Sequence, residues 1–148
     1  MALKEQLLAD LKTAIKEKDK VRKATITMIR AAILQVEKDQ QVQLDDSAIL
    51  DIISKQRKQR RDSLEDFEKA DREDLVEQTK AEIEIIDAYL PKQLSQEEIE
   101  KIVDETISET GVQSVKEMGK IMGALMPKVK GVADGKLVNQ IVRKKLQA

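Results

Sequence analysis

Leu3, Leu7, Leu11 and Ile15 open the chain at a spacing of three to four residues, and the same spacing returns through Val21, Ala24, Met28, Ala32 and Val36. It continues through Leu75, Ile83, Ile86 and Leu90, and again through Ile99, Ile102, Val103 and Ile107. A spacing of this kind puts the apolar side chains on one face of a helix, so the chain must bury helix stripes rather than sheet faces. Composition points the same way. Aromatic residues make up 1% and charged residues 37%, and the apolar content is mostly Leu, Ile, Val, Ala and Met. Straight-chain residues lose little rotamer freedom in a helix. A core without aromatics buries less area per residue, which favours a long bundle over a broad globule. The expectation is an all-α protein.

Punctuation divides the 148 residues. Asp45 or Asp46 can cap a third helix, in which Ile49, Ile52 and Ile53 give a buried start and Leu64, Phe67 and Ala70 a buried end. Between them the run SKQRKQRRDS at 54–63 has no apolar residue, over a helical length of about 15 Å. The helix either leaves the bundle there or presents a basic collar. Asp71 reads as a break and cap for the fourth helix, which Pro91 stops, because the residue before proline is pushed out of helical geometry. LPKQ at 90–93 reads as a hinge. Beyond it, Ser95 with Glu98 and Ser114 with Glu117 fit capping boxes, and Gly111 suits the left-handed position past a helix end. The division expected is an N-terminal part of about four helices over 1–91, elongated, and a C-terminal three-helix bundle over 92–148.

Charge separates along the same line. Residues 1–111 carry 19 basic and 26 acidic side chains, whereas residues 112–148 carry 8 basic and 2 acidic. Such asymmetry is a signature of an anionic partner. The chain has no cysteine and no histidine, so thiolate chemistry, Cys-type zinc sites and a neutral-pH proton shuttle are excluded. Ser47, Ser95 and Ser114 are explained as helix starts, and no clustered acidic motif of EF-hand type appears. No catalytic residue, metal or cofactor is therefore expected. No signal-like apolar run opens the sequence and no segment is apolar enough to span a bilayer, so the expectation is a cytoplasmic protein with no membrane partner.

The richest stretch is MGKIMGALMPKVKGVADGKLVNQIVRKKL, from Met118 to Leu146. Gly131-Val-Ala-Asp-Gly135-Lys136 invites comparison with a phosphate-binding loop, but only three residues separate its glycines and Leu137 stands where a hydroxyl is needed. A nucleotide-hydrolysing loop is rejected. Two readings stay open: the glycines make a tight helix–helix turn, or the turn brings Lys128, Lys130 and Lys136 beside Asp134 and a helix N-terminus, whose free N–H groups favour anions. Arg143 and Lys144 extend that basic surface. Met118, Met122 and Met126 form a stripe read as packing. Gly119 and Gly123 form another, and since each glycine costs about 1 kcal/mol relative to Ala inside a helix, a neighbouring backbone or a partner should come close there. The collar Lys55, Arg57, Lys58, Arg60 and Arg61 is either a solvated face with pairs such as Lys58–Asp62 and Arg61–Glu65, or a second phosphate-contacting surface. Base stacking is unavailable, because Phe67 and Tyr89 are the only aromatics and both fit core positions.

The stretches KQRKQRRDSLEDFEKADREDLV, AYLPKQLSQEEIEKIV and MGKIMGALMPKVKGVADGKLVNQIV resemble the GatB/YqeY family, and its stand-alone YqeY-like members most closely, over essentially the whole chain. The resemblance implies an elongated helical part followed by a three-helix bundle. It also implies kinship with the tail of the B subunit of the tRNA-dependent amidotransferase, which helps engage tRNA while the chemistry sits in another domain. The positions that match are Gly119, Gly123, Lys128, Lys130, Gly131, Ala133, Asp134, Gly135 and Lys136. Val132 stands where relatives often carry Arg or Lys, and Asp71 where Gly is usual. Three functions follow. The first is a non-catalytic module that binds tRNA or another RNA, or assists tRNA-dependent amidation alongside an amidotransferase or other translation-related protein. The second is a protein-interaction adaptor using the Gly119/Gly123 face. The third is the carbon–nitrogen ligase activity, with glutamine as amido donor, attached to the wider family.

Overall fold

Every one of the recurrent apolar runs becomes a helix. The computed structural model describes residues 2–147. Among them the chain forms seven α-helices: α1 (Leu3–Lys16), α2 (Lys20–Gln40), α3 (Asp46–Lys69), α4 (Glu73–Asp87), α5 (Gln96–Thr110), α6 (Met118–Val129) and α7 (Gly135–Gln147). A single 3₁₀ turn, Val115–Glu117, leads into α6. The protein is all-helical. It divides into two compact units, Met1–Leu90 and Pro91–Ala148.

In the first unit α1 and α2 form an antiparallel hairpin that packs with α3 and α4. Leu7, Ile26, Ile29, Ile33, Ile49, Ile53 and Ile86 form its core, closed by Tyr89 and Leu90. Aspartates start two of the helices. Asp19 accepts from the Arg22 N–H at 3.1 Å and Asp45 from the Ala48 N–H at 2.9 Å. Each such cap is worth about 1 kcal/mol, because it satisfies a backbone donor that the helix leaves unpaired.

The polar centre of α3 neither leaves the bundle nor forms a continuous collar. Arg60 turns inward and is 8% exposed. Its Nη1 donates to Gln56 Oε1 at 2.5 Å, its Nη2 lies 3.3 Å from Met28 Sδ, and its Nε sits 3.7 Å from Glu82 without a hydrogen bond. Arg57 Nε donates to Asp87 at 2.5 Å, tying α3 to α4. The end of α3 is less buried than its apolar residues suggest: Leu64 and Phe67 are half-buried and Ala70 is exposed. Asp71 breaks the chain but caps nothing. It takes a left-handed φ of 55°, and α4 starts after Arg72 with no side-chain cap. Pro91 does not stop α4 either. The helix ends at Asp87, and Ala88–Leu90 make a turn that carries Tyr89 and Leu90 into the core.

In the second unit α5, α6 and α7 pack around Ile99, Val103, Ile121, Leu125, Val129, Val138, Ile141 and Val142. Ser95 and Glu98 form the reciprocal capping box, both bonds at 3.2 Å. Gly111 closes α5 at φ 70°. The same Ser-x-x-Glu pattern at 114–117 gives a different result: Ser114 makes no side-chain cap and the segment folds as the 3₁₀ turn. The core stripe of α6 is Ile121, Leu125 and Val129. Met118 and Met122 pack at its flank, and Met126 is 42% exposed.

Candidate nucleic-acid interface

The turn between α6 and α7 is built by two stretches far apart in sequence. Gly131 adopts φ 80°, which only glycine takes without strain. The Leu94 N–H donates to the Val132 carbonyl at 2.7 Å. Gln93 Nε2 donates to the carbonyls of Pro91 and Gly131, at 2.9 and 3.0 Å. The PKQL stretch, which overlaps the LPKQ read as a hinge, thus fastens the glycine turn within its own unit. Gln93 carries no charge and fits no catalytic pattern, so residue-level reasoning passed over it. Its only signal was its place in one of the stretches that carry the family resemblance.

Asp134 has a structural duty in this turn. Its carboxylate accepts from the Lys136 N–H at 3.0 Å, and its carbonyl accepts from the Val138 N–H. The start of α7 is therefore capped by the chain's own anion, as at many helix N-termini. This argues against a phosphate seated directly on that helix end. It leaves the cations around the turn as the candidate groups for an anion.

Those cations differ in their surroundings. Lys128 donates to Glu109 at 2.9 Å and to the buried Thr106 hydroxyl at 3.0 Å, which staples α6 to α5. Lys145 is paired likewise with Asp104 at 2.9 Å. Lys130, Lys136, Arg143 and Lys144 stand exposed, Lys136 while holding a contact of its own. Arg143 Nε donates to Asn139 at 3.0 Å, which holds the side chain along the helix. Lys144 lines a groove of about 440 Å³ between α5 and α7, with Gln96 and Gln140 among its walls.

Gly119 and Gly123 are exposed, and a Cβ built on either meets nothing within 4 Å. Among the described residues of the second unit, no neighbouring backbone comes within 4 Å to explain them. They leave a bare strip on the outer face of α6, with Lys120 beside it and Lys130 at the end of the helix. The first-unit collar, by contrast, is divided. Arg57 and Arg60 are spent on internal contacts, while Lys55, Lys58 and Arg61 remain exposed.

Other polar groups serve structure. The Tyr89 hydroxyl donates to Asp10 at 2.5 Å, and burial, reinforced by that carboxylate, pushes the phenol well above its ordinary pKa. The Glu98 carboxyl is held below its usual range, chiefly by the Ser95 N–H. Among the described residues no group of three acidic side chains could hold a metal ion, and no helix is long and apolar enough to cross a membrane.

An all-helical chain whose second unit pairs an acidic α5 with basic α6 and α7 joined by a lysine-bearing glycine turn is thereby defined by fold and surface. The Yqey-like protein family model matches residues 4–146, so the chain belongs to that family. It is 35% identical over 147 residues to "Altered inheritance of mitochondria protein 41, mitochondrial" of Pyrenophora tritici-repentis, covering 96% of this chain and 77% of the relative. It is 47% identical over 85 residues to the protein of that name in Lachancea thermotolerans, covering 57% of this chain and 46% of the relative. A 59-residue stretch is 52% identical to a glutamyl-tRNA(Gln) amidotransferase component of Thermococcus sibiricus, covering 36% of this chain and 9% of that relative. These matches correct the expectation of a cytoplasmic protein: the relative that aligns along nearly the whole chain is mitochondrial by name. Charge and hydropathy report how a surface meets water, and they do not distinguish one aqueous compartment from another.

Proposed function

We propose that this chain is a non-catalytic RNA-binding module directed at tRNA, acting through its second unit as an accessory to tRNA-dependent amidation. The observation that carries this reading is the open glycine strip of α6, running beside Lys120 to Lys130 and the turn that bears Lys136. Two helical positions without side chains let a phosphate backbone approach closely there, and the cations around them supply the attraction that dominates nucleic-acid affinity. The excess of basic residues in 112–148 supports the same direction. So does the likeness to a protein named for the amidotransferase of glutamyl-tRNA(Gln). With no base-stacking aromatic in this unit, recognition rests on backbone and shape.

The test is the affinity of the purified chain for unmodified tRNA, compared with a Lys130→Ala/Lys136→Ala/Lys144→Ala variant and with Gly123→Leu. Both should bind more weakly while keeping their helical circular dichroism. Equal affinity in all three proteins would remove this surface. A Gly123→Leu variant that keeps tRNA but loses a co-purifying protein would transfer the strip to a protein partner.

A further inference from the structure

The hairpin of α1 and α2 exposes apolar side chains on a second face, away from the core of its own unit. Leu8 and Leu34 form opposite walls of a largely apolar groove of about 230 Å³, with the Lys4–Glu37 ion pair, Glu5 and Arg30 at its edge. Leu8, Ile15 and Leu34 are 38%, 52% and 60% exposed. Leu8 and Ile15 are seven residues apart, two helical turns, and so lie on one line along α1.

The charges around this face are unbalanced once internal contacts are accounted for. Residues 3–40 hold nine basic and six acidic side chains. Five of the acids are engaged. Asp10 accepts from Tyr89, Asp19 caps α2, Glu37 accepts from Lys4 and the Leu44 N–H, Asp39 accepts from Gln35, and Glu17 faces Arg22. Only Glu5 is left over. Of the bases, Lys4 and Arg22 sit in ion pairs. The other seven, Lys12, Lys23, Arg30 and Lys38 among them, have no ion-pair partner among the described residues. Lys12 falls between Leu8 and Ile15 on α1, and Leu34 falls between Arg30 and Lys38 on α2 at spacings of four. Exposed apolar side chains and unpaired cations therefore alternate along both helices, with Leu8, Leu34 and Arg30 lining the groove itself and Lys12, Ile15 and Lys38 lying beyond it.

We infer that this face is a docking surface for an acidic amphipathic helix of a partner protein. A third helix laid between two antiparallel ones packs its apolar ridge into their groove. Apolar residues of the partner would enter between Leu8 and Leu34, and its flanking Asp and Glu would meet Lys12, Arg30 and Lys38. The alternatives fit less well. A phosphate backbone would bury three large apolar side chains against charge. A bilayer favours apolar groups that reach beyond the charged ones, whereas Leu8 and Leu34 form the walls of a cleft.

The experiment is selection of displayed random peptides about 15 residues long, four helical turns, on the full-length chain. Enriched peptides should be acid-rich with apolar residues at i, i+3 and i+4, and should lose affinity as salt rises. Fluorescence anisotropy of one such peptide should show about a tenfold loss for Leu34→Glu and for Arg30→Glu. Leu34 is exposed, so the fold survives the change, which far-UV circular dichroism verifies. The inference is overturned if no peptide is enriched, if the enriched peptides lack acidic residues, or if Leu34→Glu binds them unchanged. It is equally overturned if the face binds only phosphatidylserine vesicles or RNA, measured on the same variants.

Discussion

Replacing both Gly119 and Gly123 by alanine should stabilise the second unit while weakening its binding to RNA. Glycine in a helix interior costs about 1 kcal/mol relative to Ala, through the entropy lost on folding. Gly123 lies in the middle of α6 and Gly119 in its first turn, so the pair should contribute about 1–2 kcal/mol. No term opposes this gain, because each new Cβ has nothing within 4 Å and neither glycine has a positive φ. If the second unit, the 58 residues from 91 through 148, unfolds alone, its unfolding entropy is about 120 cal/mol/K, and Tm rises by about 8–16 °C. If all 148 residues unfold together, the entropy is about 310 cal/mol/K and the rise is about 3–6 °C. Thermal melts and urea titrations followed by far-UV circular dichroism read this directly. A drop in Tm would refute the reasoning, since it would mean the glycines admit a neighbour inside the folded chain. A rise in Tm with unchanged tRNA affinity would refute the functional half alone.

Gln93→Ala removes two hydrogen bonds from the glycine turn, at a cost of about 1–2 kcal/mol, and should increase amide exchange at Gly131 and Val132 in hydrogen-exchange NMR. Asp71→Gly relieves a left-handed aspartate and should stabilise the first unit by about 0.5–1 kcal/mol in urea denaturation, against a loss expected if Asp71 were a cap. The Glu98 carboxyl is depressed in the folded chain. The capping box therefore contributes fully above the ordinary glutamate range and loses its contribution as pH falls through the lower folded value. A carboxyl-detected NMR titration should show Glu98 titrating below an exposed glutamate, and Ser95→Ala, which removes the hydroxyl but keeps the backbone N–H, should shrink that difference without abolishing it.

The helices and their order were legible because apolar spacing and local caps are local properties. Ser95, Glu98, Gly111 and Asp45 each act within four residues of their own position. What could not be read depended on contacts between distant segments. Arg60 sits in a run with no apolar residue, and only the packing of α2 and α4 around α3 turns it inward while leaving Lys58 and Arg61 outside. Ser114 repeats the pattern of Ser95, yet the chain there must turn into α6 and makes a 3₁₀ turn instead. Lys128 reads as a displayed cation until Glu109 and Thr106 are found beside it. The glycine pair was recognised as costly, but sequence could not separate internal close packing from an open face. Asp71 was legible as a departure from glycine, though its left-handed φ appears only in the structure.

RNA binding through the second unit stands or falls on how tRNA affinity depends on salt. With Lys130, Lys136, Arg143 and Lys144 meeting phosphates, log Kobs should fall against log salt concentration with a slope of about −3 to −4. The Lys130→Ala/Lys136→Ala/Lys144→Ala variant should reduce that slope to about −1, whereas Lys128→Ala, which removes a staple to Glu109, should leave it nearly unchanged. Parallel slopes for wild type and the triple variant, or no measurable binding at low salt, would contradict it.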